Sequence, residues 1–253
     1  MDVLVPERRE AILAYLKEHH SVSVEELSHK MFISPTSIRR DLAYLESKGL
    51  VRKTYGGAIL VSGENEMLSL DARSATEKEA KNIIAQKAVS LIQDGDVIFL
   101  DSSSTALAMV PYIRDMASLT VITNGAKAAL SLIELPFVRV YCTGGKLKPR
   151  VYSYTGPIAL EAVSQLHADK FFVSPKGLDA ALGAYCTSED EASIRKAMME
   201  RSRQTILLCA SKKLDKRAAF RLCAMNSIHT IVLDEMPDST WQACFASNGV
   251  NIL

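Results

Sequence analysis

The sequence predicts an α/β chain in two parts. The first is a small helix-turn-helix followed by a basic hairpin. The second is a larger domain built on a parallel sheet with helices on both faces. Three observations predict this. Residues 21–57 run through a short helix, a turn, a second helix with an arginine pair and a basic tip ending in two glycines. From residue 77 onward, short apolar runs alternate with helical patterns, the order that builds parallel sheets. The length of 253 residues suits two domains, and a hydrophobic content of 48% supplies a sizeable core.

Composition narrows the function classes. The net charge is only +1, so any nucleic-acid binding must come from a local patch and not from a global field. The five cysteines, Cys142, Cys186, Cys209, Cys223 and Cys244, are odd in number and none lie in CxxC spacing. That argues against a disulfide framework and against a zinc site, and favours small buried thiols in a reducing cytoplasm. The N-terminus carries acids and arginines where a signal peptide needs an apolar run. No segment reaches the length of a membrane span. The expectation is a cytoplasmic protein without metal or cofactor.

The N-terminal part, residues 1–60, reads as follows. A first helix covers Glu7 to His19, with Ile12, Leu13 and Leu16 on one face. Val22 and Val24 alternate with serines, as in a short extended segment. Ser23 caps the next helix, with Glu26 three residues on as a capping box, and Leu27 and Met31 face the core. Ser34-Pro35 starts the following helix, the serine as cap and the proline in the first turn, where its missing N–H costs nothing. Ile38, Leu42 and Leu45 form its buried stripe, and Gly49 ends it as a left-handed cap. Thr36, Ser37, Arg39 and Arg40 are left on other faces near the helix start, which is the part that enters the major groove in helix-turn-helix proteins. Short hydroxyls there reach phosphates or base edges, and arginine grips phosphate or guanine. Leu50-Val51 and Ala58 to Leu60 read as two strands. The tip between them, Arg52, Lys53, Thr54, Tyr55, Gly56 and Gly57, is basic enough to approach a DNA backbone. The competing reading pairs Arg39 and Arg40 with Asp41 and Glu46 on a solvated face and makes the hairpin tip a matter of solubility. Residues 61–76 carry Gly63, several acids and no sustained period, and read as a linker.

In the domain of residues 77–253, Glu77 to Gln93 is an amphipathic helix stopped by Asp94-Gly95-Asp96. The apolar runs Val97–Leu100, Thr120–Thr123, Val138–Cys142, Phe171–Val173, Ile206–Cys209 and Thr230–Leu233 read as buried strands. Ligands gather beyond the carboxyl ends of such strands. Asp101, Ser102, Ser103, Ser104 and Thr105 follow the first run, where small hydroxyl residues opening a helix make either an anion site or an ordinary cap. Asn124 follows the second run, Gly144 and Gly145 the third, Lys176 to Asp179 the fourth, and Ser211-Lys212 the fifth. Cations and donors converging on one edge suit a phosphorylated polyol. Lys213 and Lys216 read as solvated loop charges. The acids opening the helix near Ser188 complement its dipole, and Glu191 either does the same or turns inward to take a sugar hydroxyl.

Residues 7–60 resemble the winged helix-turn-helix of the DeoR family of bacterial transcriptional regulators. The likeness is carried by ERREAILAYL, VSVEELSHKM and ISPTSIRRDLAYLESKGLVRKTYGGA, with Ser37 where threonine is usual. The second part resembles that family's sugar-phosphate sensor domain, a Rossmann-like fold related to ribose-5-phosphate isomerases and glucosamine-6-phosphate deaminases. The matching stretches are IFLDSSSTALAM, TVITN, CTGGKL, Gly156-Pro157, HADKFFVSPKGLD, EDEASIRKAMM, LLCASKK and IVLD. The resemblance covers nearly the whole chain. It implies that the Ser102–Thr105 loop holds a phosphate and that Asp101, Asn124, Lys176 and Lys212 lie near the sugar. Two departures matter. Ser103 stands where glycine is usual, which restricts the loop backbone. Ser174-Pro175-Lys176-Gly177 replaces a GADG stretch, at which the isomerases place a catalytic acid. Without that carboxylate no isomerase activity is expected.

The resemblance therefore implies a sequence-specific DNA-binding regulator, a repressor of a carbohydrate catabolic operon, controlled by a phosphorylated sugar or sugar acid. Its partners would be operator DNA and a second copy of itself, as a dimer or tetramer. The competing functions are a sugar-phosphate enzyme with an accessory DNA-binding domain, and an adaptor whose winged helix contacts protein.

Overall fold

The computed structural model describes residues 5–19, 21–60, 69–113 and 117–253, with the side chains of Lys17, Arg52 and Leu60 excepted. The chain divides into two compact units, Met1–Arg73 and Ser74–Leu253.

The first unit runs α1 (Val5–His19), β1 (Ser21–Ser23), α2 (Val24–Met31), α3 (Pro35–Ser47), β2 (Val51–Thr54), β3 (Gly57–Leu60) and the start of α4 (Leu70–Ala75), a helix that continues past Arg73 into the second unit. The strands form an antiparallel sheet in the order β1-β3-β2. Ile12, Leu16, Leu27, Ile38, Leu42 and Leu45 close its core. Ser23 caps α2 by accepting the Glu26 N–H at 3.0 Å, whereas the Glu26 carboxylate takes the Tyr15 hydroxyl at 2.5 Å. Gly57 is where β3 crosses β1. A Cβ there would stand 2.0 Å from the Val22 carbonyl oxygen, so only glycine permits the crossing. Residues 61–68 of the expected linker lie outside the described residues. Its end is packed: Leu70 and Ala72 are buried in α4, whose start is held by Ser69 Oγ, donating to the Lys48 carbonyl and accepting the Ala72 N–H.

The second unit begins with α5 (Lys78–Val89), β4 (Val97–Leu100), α6 (Ser104–Leu107), β5 (Leu119–Thr123), α7 (Ala126–Leu132) and β6 (Val138–Cys142). Next come β7 (Lys146–Lys148), β8 (Ser153–Thr155), α8 (Pro157–Ser164), β9 (Ala168–Val173), β10 (Gly177–Asp179) and β11 (Gly183–Cys186). The chain ends with α9 (Glu189–Glu200), β12 (Ser202–Cys209), β13 (Phe220–Cys223), β14 (Thr230–Leu233), α10 (Ser239–Ser247) and β15 (Asn251–Ile252). Seven strands form a parallel sheet in the order β15-β14-β12-β9-β4-β5-β6. Alternate residues face opposite sides. Phe99, Phe171 and Leu207 enter one core with residues of α8, α9 and α10. Ile98, Phe172 and Leu208 enter the other with residues of α5 and α7.

All six expected strands form, but β6 is an edge strand and not a buried one. Among the described strands β5 is its only neighbour, and Tyr141 and Cys142 are exposed. Cys186, Cys209 and Cys223 are buried thiols as expected. Two antiparallel additions, β7-β8 and β10-β11-β13, were not legible beforehand. No described helix is long and apolar enough to cross a membrane.

From β4 the sheet grows outward through β5 and β6, then returns to the other side of β4 through β9 and β12. The growth direction reverses between β4 and β9. The carboxyl ends of these strands therefore border the crevice where open α/β sheets take ligands.

Candidate functional site

The first surface belongs to α3. Ser34 is extended (φ −60°, ψ 144°), and its Oγ accepts the Ser37 N–H at 3.3 Å, so its side chain serves the cap. Thr36, Arg39 and Arg40 are exposed, and Ser37 is half-buried. The competing reading paired the two arginines with Asp41 and Glu46, and the structure gives both acids other work. Asp41 is buried and accepts Arg8 Nε at 2.6 Å and Arg9 Nε at 2.9 Å, tying α1 to α3. Glu46 Oε1 accepts the backbone N–H of Lys53 at 2.9 Å. Among the described residues, nothing neutralises Arg39 or Arg40.

The hairpin tip is shorter than expected. Arg52, Lys53 and Thr54 are in β2, paired with β3, and only Tyr55 and Gly56 make the turn. Lys53, Tyr55 and Gly56 are exposed, while the Arg52 side chain lies outside the described residues. Gly57 is buried against β1, which corrects its assignment to the DNA-facing set: its role is the backbone crossing.

The second surface is the crevice between β4 and β9. Asp101 is fully buried. Its Oδ1 accepts the Ser103 N–H at 3.0 Å and its Oδ2 the Ser174 N–H at 3.2 Å, with Arg195 Nη2 at 3.0 Å. Asp101 thus clasps the two loops bordering the crevice, and a buried carboxylate with a cation beside it is compensated. Ser103 is extended at φ −76° and caps α6 through the Ala106 N–H at 3.1 Å. The backbone there needs no left-handed conformation, so serine in place of glycine does not disturb the loop.

Ser102 Oγ lies 2.9 Å from Ser153 Oγ, which accepts Asn124 Nδ2 at 3.2 Å. Asn124 Nδ2 also points to the Tyr154 carbonyl at 3.4 Å. A carbonyl only accepts, so the amide orientation is fixed. Asn124 Oδ1 is then buried with no partner among the described residues. Ser174 Oγ lies 2.7 Å from the Leu208 carbonyl, 3.2 Å from Thr105 Oγ1 and 2.9 Å from Lys213 Nζ. Its single proton goes to the carbonyl, so it accepts from the lysine. Burial lowers the Lys213 pKa, against the opposing pull of Cys209, Glu77 and Asp101.

Several expectations are corrected here. Lys212 pairs with Glu77, while Lys213, read as a solvated charge, donates to Ser174, with Glu77 close enough for its charge to act on Lys213 as well. The two lie in the 3₁₀ turn Ser211–Lys213, where successive side chains diverge by about 120°, so neighbours cannot share a direction. Asp179 is not a crevice residue and does not meet Lys176. Its Oδ1 accepts the Ala181 and Leu182 N–H groups in the β10-β11 turn, and Arg217 Nε, 2.6 Å from Oδ2, holds its pKa below the usual range. Lys176 is exposed, with no side-chain partner among the described residues. Glu191 does turn inward, but toward Arg195 Nη1 at 3.7 Å and not toward a free space. Arg195 Nη1 also meets Cys186 Sγ at 3.2 Å, a thiol whose pKa burial pushes up. Gly144 (φ +65°) has open space around it. Gly145 (φ +98°) is structural: a Cβ would stand 2.8 Å from the Thr155 carbonyl, so it seats the β7-β8 hairpin that brings Ser153 to Ser102.

Sequence reasoning missed Ser153, Ser174, Arg195 and Lys213. The Glu191/Arg195 spacing of four residues was a usable signal for one of them. Ser153 had none, because an unread antiparallel hairpin delivers it.

A family model for the DeoR C terminal sensor domain matches residues 76–235, and one for the DeoR-like helix-turn-helix domain matches residues 8–64. The HTH-type transcriptional repressor GlcR of Bacillus subtilis (strain 168) is 31% identical over 247 residues, 98% of this chain and 95% of the relative. The putative aga operon transcriptional repressor of Escherichia coli O157:H7 is 31% identical over 231 residues, 90% of this chain and 86% of the relative. Ribose 5 phosphate isomerase A from Neisseria gonorrhoeae aligns with 56% of each chain at a TM-score of 0.40 and 16% identity. With a reader and a sensor matched in the same order along nearly its whole length, the chain belongs to the DeoR family of DNA-binding transcriptional regulators and is not an enzyme.

Proposed function

We propose that this regulator represses a carbohydrate catabolic operon and releases its operator when a phosphorylated sugar or sugar acid fills the crevice between β4 and β9. One observation carries the reading. At the carboxyl ends of the strands lie an amide oxygen with no donor among the described residues, Asn124 Oδ1 after β5, and a lysine after β12, Lys213, whose hydrogen-bond acceptor is a neutral hydroxyl. A buried unpaired acceptor costs about 1–3 kcal/mol, and a ligand hydroxyl would recover it. A phosphate oxygen would give the ammonium a charged acceptor. Ser102 adds a hydroxyl beside Ser153 and Asn124, and Thr105 adds one beside Ser174 and Lys213. Repression is the proposed sign because both relatives above are named as repressors.

On the DNA side, Thr36, Arg39, Arg40, Lys53 and Tyr55 form the reading surface, with Arg52 proposed beside them. Readers of this kind work in pairs at fixed half-site spacing, so a dimer or tetramer is the proposed active form. The test is retardation of DNA from upstream of the gene, with and without a panel of phosphorylated sugars and sugar acids. Specific retardation relieved by one of them is expected. No specific retardation at moderate salt would overturn the reading.

A further inference from the structure

We propose that the turn Ser211–Lys213 is a two-armed relay, in which Lys213 grips the anionic group of the effector and Lys212 reports its occupancy to Glu77. The proposal rests on the crevice reading above and extends it to regulation.

The turn follows β12 directly and is pinned at its first residue. The Ser211 N–H donates to Asp234 Oδ1 at 2.7 Å, and its hydroxyl lies 2.7 Å from Glu235 Oε1. Beyond that anchor the two lysines take different hydrogen-bonding partners. Lys213 enters the crevice and donates to Ser174 Oγ, next to Thr105. Hydrogen bonds from a cation to an anion are about twice as strong as neutral ones, so an anion within reach takes the ammonium from the serine. The turn is held at both ends, at Ser211 by Asp234 and directly after Lys213 by the Leu178–Leu214 bridge, so it has little slack. A displacement of Lys213 is therefore passed to Lys212.

Lys212 is ion-paired with Glu77. Glu77 stands four positions beyond Arg73, the last residue of the first unit, and immediately before α5. Its backbone is left-handed (φ 53°), and its side chain makes no cap bond to α5. The conformation is uncommon for a residue with a side chain and costs about 1 kcal/mol, so something outside the helix must hold it. The Glu77 carboxylate pairs with the Lys212 ammonium, and its charge also acts on Lys213. Glu77 in turn anchors the start of α5: its carbonyl accepts the Lys81 N–H at 3.1 Å, and the Lys81 ammonium donates to the Thr76 carbonyl at 2.6 Å. One ion pair thus joins the anion-gripping turn to the segment by which the chain enters the sensor unit. Both side chains keep some contact with water, which limits the pair to a factor of about five in the local opening equilibrium.

The experiment uses the full chain and inorganic phosphate as probe, with melting temperature and amide exchange of residues 74–81 as the two readouts. In the wild type, phosphate should raise the melting temperature and change exchange in that segment by up to about fivefold. Lys212→Ala should keep the melting shift and lose the exchange response. Lys213→Ala should lose both, and Lys213→Arg should retain both. If phosphate shifts the melting temperature but the exchange response is absent in the wild type, or survives in Lys212→Ala, the relay is wrong while the crevice stands. A normal melting shift in Lys213→Ala removes the gripping arm. No shift in the wild type removes the crevice reading itself.

Discussion

Replacing Asp41 separates what holds the DNA reader together from what reads DNA. The carboxylate is 1% exposed and accepts two guanidinium hydrogen bonds, from Arg8 at 2.6 Å and Arg9 at 2.9 Å. Charge-assisted bonds of this kind contribute about 1.5–3 kcal/mol each. The arginines keep 17% and 23% of their side-chain surface in water, so part of that loss is recovered by hydration when the acid is removed. The expected cost of Asp41→Ala is therefore about 2–4 kcal/mol. For a unit of this size that lowers the melting temperature by roughly 10–25 °C. Full-chain melting followed by circular dichroism should show an early transition of the first unit and an unshifted one of the second. Arg39→Ala with Arg40→Ala should do the reverse, leaving the melt unchanged and abolishing DNA binding. A melt of Asp41→Ala within 2 °C or so of the wild type would show that the cluster does not hold α1 on α3 and that the argument is wrong.

Three further outcomes are expected. Gly57→Ala places a Cβ 2.0 Å from the Val22 carbonyl and should cost about 3 kcal/mol or more, whereas Gly56→Ala meets nothing within 4 Å and should melt like the wild type. Equal effects in a thermal melt would contradict the close-crossing account. In operator titrations against salt, each of Arg39 and Arg40 that contacts phosphate should contribute about 0.9 to the slope of log K against log salt, so single alanine variants flatten it in steps. An unchanged slope would assign them elsewhere. Anion binding needs the Lys213 ammonium. Because burial depresses its pKa, affinity for sulfate, a dianion throughout this range, should be full at low pH and fall at a pH below that of an ordinary lysine. The Lys213→Arg variant should hold its affinity through that window. A wild-type titration that drops only in the ordinary lysine range would refute the shift.

The order of elements was written into the chain itself. Ser23 and Ser34 cap the helices at which they were read, Ile38, Leu42 and Leu45 are the buried stripe, and Gly49 is left-handed at φ +71°. The six apolar runs became strands of one parallel sheet. These are local matters of cap, period and backbone freedom, fixed by residues within a few positions of one another. Side-chain destination was a different question. Asp41 beside Arg40 reads as that arginine's partner, yet it serves Arg8 and Arg9 from another helix, which is what leaves Arg39 and Arg40 uncommitted. Lys212 and Lys213 are alike in sequence, and only the phase of a 3₁₀ turn sends one to Glu77 and the other to Ser174. Ser153 reaches Ser102 across 51 positions because a hairpin folds over the sheet edge. Periodicity and capping are short-range and survive in a string of letters. The pairing of charges and hydroxyls across the crevice depends on where distant segments pack, and that is settled only when the sheet has formed and its strand order is set.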